Sequence, residues 1–341
     1  MCLVTGASGF IGGHLAKRLV AEGHRVRCLV RATSDTSGLE GLGVELARGD
    51  LTDADSLKHA AEGCRFLLHC GALVSDWATV EEIEQANVAG TRNVLAAASA
   101  ASIERLVHVS TTDVYGYPGR RRVDEIYVPT GFSNWYSQTK RAAEAEVRRA
   151  GQGGLSAVIL RPATVYGPGS KDVVGDIARA IRARQMLLVD RGRPVAGLIY
   201  VENLIDAAML ALRNDAAVGE AFNLTDGLDI TWRRFVTDLA LGLGCPAPKW
   251  SLPYGVAIAT ASGLERGYRL LRRATGVKTR PLLSRQAVHV LGRDQDFSNR
   301  KAREILGWEP RISYDEGLAA TIAWLREEYL PLGPDGSPSP A

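Results

Sequence analysis

Short apolar runs alternate with longer stretches of helical spacing through the first half of the chain. The runs Met1–Thr5, Val26–Val30, Val44–Ala47, Phe66–Cys70, Leu106–Ser110 and Ala157–Arg161 have the length and character of buried strands. Between them, Ile11–Glu22, Ala54–Ala61, Val80–Ala101 and Ser133–Ala150 return apolar residues every three to four positions, as helices with one face on a core do. Strands separated by helix-length crossovers pair in parallel and carry helices on both faces. The pattern therefore predicts an α/β fold, with a doubly wound parallel sheet over residues 1–165. Beyond Arg161 the alternation loosens, and helices at Val173–Ala183, Glu202–Arg213, Thr231–Leu243 and Asp315–Glu327 stand among Pro- and Gly-rich turns. This predicts a smaller, less regular domain over residues 166–330, with about 197–225 returning to the first. Such a domain would sit over the carboxyl ends of the strands, where ligands bind in open α/β sheets. Residues 333–341 hold Gly, Pro, Ser and one Asp, and read as a disordered tail.

Composition narrows the function classes. With 41 basic and 38 acidic residues, the net charge of +3 implies no nucleic-acid partner. The five cysteines (Cys2, Cys28, Cys64, Cys70 and Cys245) form no CxxC pair and no His/Cys set, so reduced thiols and no metal are expected. No apolar run approaches the roughly 20 residues that span a bilayer. Met1 leads almost directly into the first strand, leaving no room for a signal peptide, and the expectation is a soluble, cytoplasmic protein.

The first strand runs into Thr5-Gly6-Ala7-Ser8-Gly9-Phe10-Ile11-Gly12, and a helix follows. Glycine at 6 permits the tight turn, at 9 the approach of backbone amides to a pyrophosphate, and at 12 close packing of helix on strand. The helix N-terminus then faces the phosphates with unpaired N–H groups and the positive end of its dipole. With its GxxGxxG spacing, this opening resembles the extended short-chain dehydrogenase/reductases, the superfamily of nucleotide-sugar epimerases, 3β-hydroxysteroid dehydrogenases and dihydroflavonol reductases. The resemblance continues for roughly 310 residues through Gly49-Asp50-Leu51-Thr52-Asp53, His69-Cys70-Gly71-Ala72, Asn87 to Leu95 (NVAGTRNVL), Arg161 to Gly169 (RPATVYGPG), Tyr200-Val201-Glu202-Asn203 and Leu306-Gly307-Trp308-Glu309-Pro310. It implies a Rossmann-type fold and a dinucleotide held by Gly6, Ser8, Gly9, Phe10, Ile11 and Gly12. Asp50 and Leu51 would lie at the adenine, Gly71 and Ala72 beside the riboses, and Pro162 and Val165 farther along the cofactor. Glycine at 71 replaces the family's usual alanine.

Hydride transfer to a carbonyl needs an acid that protonates the oxygen. A tyrosine, with an ordinary pKa of about 10, serves as a base near neutrality only where a cation favours its phenolate. Tyr136 and Lys140 are four apart on a predicted helix and share a face. The segment Ser110-Thr111-Thr112-Asp113-Val114-Tyr115-Gly116 ends a predicted strand and resembles the family's catalytic-serine segment. Counting back from Tyr115-Gly116 puts Thr111 at the serine position, with Ser110 and Thr112 as local competitors. By the resemblance, Tyr136 is the general acid/base, and Lys140 lowers its pKa and binds the ribose. Thr111 polarises the substrate oxygen, and Asn87 holds the active-site helix and a relay water. His69 and His108 lie in apolar strands and are expected to be satisfied core residues.

After the second strand, Val30 stands where NAD-preferring members carry Asp, and Arg31 follows. This favours NADP(H), with NAD(H) the alternative. Nucleotide-sugar enzymes carry Arg-Asp before the YV(D/E)N strand; here Ala196-Gly197 occupies that place, although Arg191, Arg193 or Arg293 could substitute. The expected activity is therefore interconversion of a secondary alcohol and a ketone on a small-molecule substrate. The alternatives are a nucleotide-sugar epimerase or dehydratase and a non-catalytic cofactor sensor. The apolar segment from Trp250 to Gly263 precedes Arg266, Arg269, Arg272, Arg273, Lys278, Arg280 and Arg285, and reads as a helix with a solvated basic face, an apolar lid or a membrane-surface contact. Ala-rich stretches at Ala96-Ala97-Ala98 and Ala142-Ala143 suit the helix pairing by which this family forms homodimers.

Overall fold

The computed structural model describes residues 1–74, 78–129, 134–275 and 284–331, the side chains of 269–275 excepted. Its strands are β1 (Cys2–Thr5), β2 (Val26–Val30), β3 (Glu45–Arg48), β4 (Phe66–His69), β5 (Arg105–Val109), β6 (Ala157–Pro162), β7 (Thr164–Tyr166), β8 (Leu188–Val189), β9 (Leu198–Tyr200), β10 (Ala221–Leu224) and β11 (Ser251–Leu252). Seven of them form one sheet in the order β10-β6-β5-β4-β1-β2-β3, parallel throughout. Between β1 and β4 the chain order reverses, which opens a crevice at the carboxyl ends of the strands.

Helices α1 (Phe10–Ala21), α2 (Ala54–Ala61), α3 (Val80–Glu84), α4 (Gly90–Ala100) and α5 (Trp135–Gln152) connect the first six strands. The expected single helix over 80–101 is interrupted by a π turn, Gln85–Ala89. In the second half lie α6 (Asp176–Arg182), α7 (Val201–Arg213), α8 (Trp232–Gly242), α9 (Tyr254–Thr275), α10 (Arg285–Gly292) and α11 (Tyr314–Trp324). Strands β1, β4 and β5 are buried on both faces, which is why they read as unbroken apolar runs. Leu3, Leu29, Leu67 and Leu106 meet α2 and α4 on one face. On the other, Val4, Cys28, Leu68 and Val107 join a core that includes α1 and α7 and runs on to Tyr166, Trp232, Phe235 and Trp308 in the second half. The two halves thus share one continuous core.

Strand β10 falls inside the segment expected to return, and it pairs with β6. The third strand lies one residue later than expected, at Glu45–Arg48. The strands β7, β8, β10 and β11 were not predicted, because two to four residues display too little period, whereas β9 is the strand that the YVEN resemblance implies. The expected start of the helix at Ser133, and the proposed tail at 333–341, lie outside the described residues. Asn203 joins two later signatures. Its Oδ1 accepts the backbone N–H of Arg311 and Ile312, its Nδ2 donates to Ile312 O, and Trp308 Nε1 donates to its backbone carbonyl. The YVEN and LGWEP segments are two sides of one joint.

Candidate active site

The glycine loop has the shape a pyrophosphate requires. Gly6 turns at φ 70°, and a Cβ there would stand 2.7 Å from Gly71 N. A Cβ on Gly12 would lie 2.2 Å from the Gly6 carbonyl oxygen, so α1 can leave β1 this steeply only with glycine at 12. No side chain caps α1 at Gly9, which leaves its first-turn amides facing the crevice. Ser8 is exposed, and Phe10 and Ile11 open α1. A Cβ at Gly71 would approach Leu51 Cδ1 (3.1 Å) and Thr5 Oγ1 (3.3 Å). The ends of β1, β3 and β4 therefore converge. Thr52 donates twice to Asp50 Oδ1, which holds that carboxyl below its usual range. Ala72, next along from Gly71, is half-buried. Pro162 ends β6, and Val165 is half-buried in β7. The segment after them returns to α1, where His14 bonds the Pro168 carbonyl (2.9 Å) and Glu202 (2.6 Å). Arg31 is exposed just after β2. Arg48, not singled out from sequence, donates to the Arg31 carbonyl at 3.1 Å and adds a second cation there. These residues fit a dinucleotide.

At the end of β5, the three hydroxyl candidates part ways. Ser110 is buried and donates to Glu144 (2.6 Å), and Thr112 is buried as well. Thr111 is half-exposed, and its Oγ1 accepts from Asp113 N at 3.1 Å, so its own proton points elsewhere. Lys140 is buried and its Nζ donates to Val109 O, in the same strand end, at 2.8 Å. Asn87, in the π turn, is buried; its side chain closes a pair of bonds with the Leu73 backbone (2.7 and 3.1 Å) and reaches Thr139 Oγ1 at 3.3 Å. It ties the segment after β4 to the turn of α5 that carries Lys140.

The electrostatics differ from the sequence expectation. Burial pushes the Tyr136 phenol up, and the Asp113 carboxylate adds to this, so the expected lowering of Tyr136 by Lys140 is not what the folded chain displays. Burial lowers Lys140 instead, to about 8, against the opposing pull of Glu144 and Cys70. Desolvation outweighs attraction because α5 carries both groups into the protein.

The two strand histidines also separate. His69 is satisfied: Thr5 Oγ1 lies 2.7 Å from Nδ1 and Thr91 Oγ1 3.1 Å from Nε2, while Thr91 donates to the Asn87 carbonyl. Burial lowers its pKa to about 3, so it is neutral. His108 corrects the expectation, since neither ring nitrogen has a partner among the described residues. It lies against the His69 ring, 5.1 Å between centroids, and burial and Lys140 keep it uncharged.

Sequence reading missed the network behind the site. Glu144 stands one turn beyond Lys140, and Arg161 Nε and Nη2 both donate to it. Arg161 also donates to the Tyr115 hydroxyl, which donates to Asn223 on β10. All four are buried. The Tyr136-Lys140-Glu144 spacing offered a signal for Glu144, whereas its pairing with Arg161 needs the topology. At the place of the nucleotide-sugar Arg-Asp pair, Ala196 is fully buried, and Gly197 has φ 58° with the Gln295 carbonyl oxygen 2.0 Å from where a Cβ would be. Arg191 and Arg193 are exposed, and Arg293 lies over the Tyr254 ring at 4.3 Å.

Residues 2–225 match the model of the NAD dependent epimerase/dehydratase family. The chain is 36% identical over 320 residues to a 4-hydroxy-2-methyl-3-oxo-4-farnesyl-3,4-dihydroquinoline-1-oxide ketoreductase of Stigmatella aurantiaca, covering 93% of this chain and 94% of that one. It is 33% identical to a 2-alkyl-3-oxoalkanoate reductase of Stenotrophomonas maltophilia, over 93% of this chain and 96% of the other. Among solved structures, that of gox2253 superposes with a TM-score of 0.78 at 31% identity, covering 96% of this chain and 98% of the other. The glycine cradle, the parallel sheet and these matches agree, and the chain belongs to the NAD-dependent epimerase/dehydratase family, as an oxidoreductase of its ketoreductase and 3β-hydroxysteroid-dehydrogenase-like side.

Proposed function

We propose that this chain is an NADP(H)-preferring reductase of lipophilic ketones, run in reverse as a secondary-alcohol dehydrogenase. The observation that carries it is the position of Lys140: buried, tied to Val109 O, one helical turn from Tyr136 and beside the strand end that presents Thr111. Gly6, Ser8, Gly9, Phe10, Ile11 and Gly12 would hold the pyrophosphate, Asp50 and Leu51 the adenine side, and Gly71, Ala72, Pro162 and Val165 the remainder. A bound nicotinamide would supply or accept the hydride at this site. Tyr136 O–H gives its proton to the carbonyl oxygen while Thr111 donates a second hydrogen bond to it. Lys140 steadies the resulting phenolate, and Asn87 is a positioning residue that fixes α5 against the strand ends. Arg31, with Arg48 behind it, supports the preference for a 2′-phosphate.

Lipophilic substrates are favoured by the named activities of the relatives, one on a farnesylated ring ketone and one on a 2-alkyl-3-oxoalkanoate. The Ala196-Gly197 geometry argues the same way, because neither position offers a charge to a nucleotide diphosphate. Tyr136→Phe tests the chemistry: NADPH oxidation with a ketone panel should fall by about 10²–10⁴-fold while NADPH binding persists. Near-wild-type turnover would overturn the assignment. UDP- and TDP-sugars should neither be converted nor raise the unfolding temperature; protection at micromolar concentration would promote the epimerase reading.

A further inference from the structure

Helix α9 turns an apolar face outward. Ala257 and Ala261 are fully buried against Val189 and Val288, whereas Val256 is 50% exposed and Leu264 46%. Thr260 lies exposed between those two, one turn from each. The chain from Tyr254 to Leu264 has no charged residue, and Trp250, just before it, is 74% exposed. Beside Trp250 opens a cavity of about 200 Å³ whose walls include Met186 and Pro246, with the cations Arg184 and Lys249. Two large apolar side chains facing solvent two turns apart on one helix, next to an exposed tryptophan, mark an interaction surface.

Charge identifies the partner. Residues 247–285 contain eight lysines and arginines and a single acid, Glu265. That acid is neutralised within the fold, accepting from both the backbone N–H and Nε of Arg285. The segment is net +7 in a chain of net +3, so the remainder is net negative. Two copies meeting through this face would bring like charges together. A nucleic acid or acidic protein would satisfy the cations and leave the apolar face in water. A bilayer bearing anionic headgroups satisfies both.

We propose that Trp250 and the outer face of α9, from Val256 to Leu264, dock the protein on the surface of an anionic membrane, with Arg184, Lys249 and Arg266 set among the headgroups. The helix rests in the interface and does not cross it; among the described residues no helix is long and apolar enough to do so. Docking of this kind holds whichever ketone is reduced.

The test is sedimentation of the full chain with vesicles of phosphatidylglycerol and phosphatidylcholine in equal parts, against phosphatidylcholine alone. Binding to the anionic vesicles should be tighter by about tenfold or more and should weaken with salt. Val256→Asp with Leu264→Asp alters exposed positions only, so the unfolding temperature and the NADPH dissociation constant should not move. Vesicle binding should nevertheless drop about tenfold or more. Absence of anionic-lipid binding by the wild type would overturn the proposal. Wild-type affinity in the double variant would also overturn it, leaving charge alone as the cause. So would a smaller assembly for the variant than for the wild type in lipid-free sedimentation, which would give the face to a second copy.

Discussion

Lys140 carries its charge where burial penalises it, and that sets a pH dependence. Its pKa is lowered to about 8, while that of Tyr136 is raised. At neutral pH the tyrosine is protonated and the lysine is mostly cationic, the pair a ketone reductase needs. As pH rises through about 8, Lys140 loses the charge that steadies the phenolate, so kcat for reduction should fall with unit slope on a log scale. A flat kcat from pH 7 to 9.5 would refute this. Lys140→Met should remove the inflection along with most of the activity. Both residues were legible from their spacing, but their proton affinities were not, because these depend on how deeply α5 lies against β5. Arg31 is likewise readable as a residue and unreadable as a contact. A charge-assisted bond to a 2′-phosphate amounts to about 1.5–3 kcal/mol, or roughly ten- to a hundredfold in affinity. Arg31→Ala should erase that much of an NADPH-over-NADH preference in a fluorescence titration, and equal cofactor affinities in the wild type would show the arginine idle.

At the scale of elements, the site depends on two braces. Asn87 lies in the π turn, from which its buried amide faces the Leu73 backbone. Helical periodicity over residues 80–101 was plain, but a five-residue insertion of wider turn leaves no mark on it. The second brace is the Glu144–Arg161 pair between α5 and β6. Removing one partner of a buried ion pair strands the other and costs about 3–5 kcal/mol. Glu144→Gln should destabilise the chain by that order in urea unfolding. Its residual activity should titrate with a lower Lys140 pKa, since Glu144 opposes the burial of that ammonium. A loss under 1 kcal/mol would mean that water replaces the carboxylate.

For the whole molecule, the Rossmann-type half was legible and the second half only in outline, since its strands are short and its packing belongs to a shared core. The alanines read as a pairing surface divide. Ala97, Ala98 and Ala143 are buried, while Ala96 and Ala142 face outward beside Arg92 and Arg141. We propose that α4 and α5 form a homodimer through the exposed set. Sedimentation at micromolar concentration should give a dimer that Ala142→Glu dissociates; a wild-type monomer would remove the idea.

The pairing of β10 with β6 also has a consequence for synthesis. Residues 163–220 lie between the two strands. At about 5–20 residues per second, a ribosome needs roughly 3–12 s to make them. During that time β6 is an open edge of unpaired backbone N–H and C=O groups between apolar side chains, the kind that recruits other nascent chains. A fragment ending at residue 165 should therefore pellet on expression, whereas the full chain, which supplies β10 and the rest of the shared core, should stay in the supernatant.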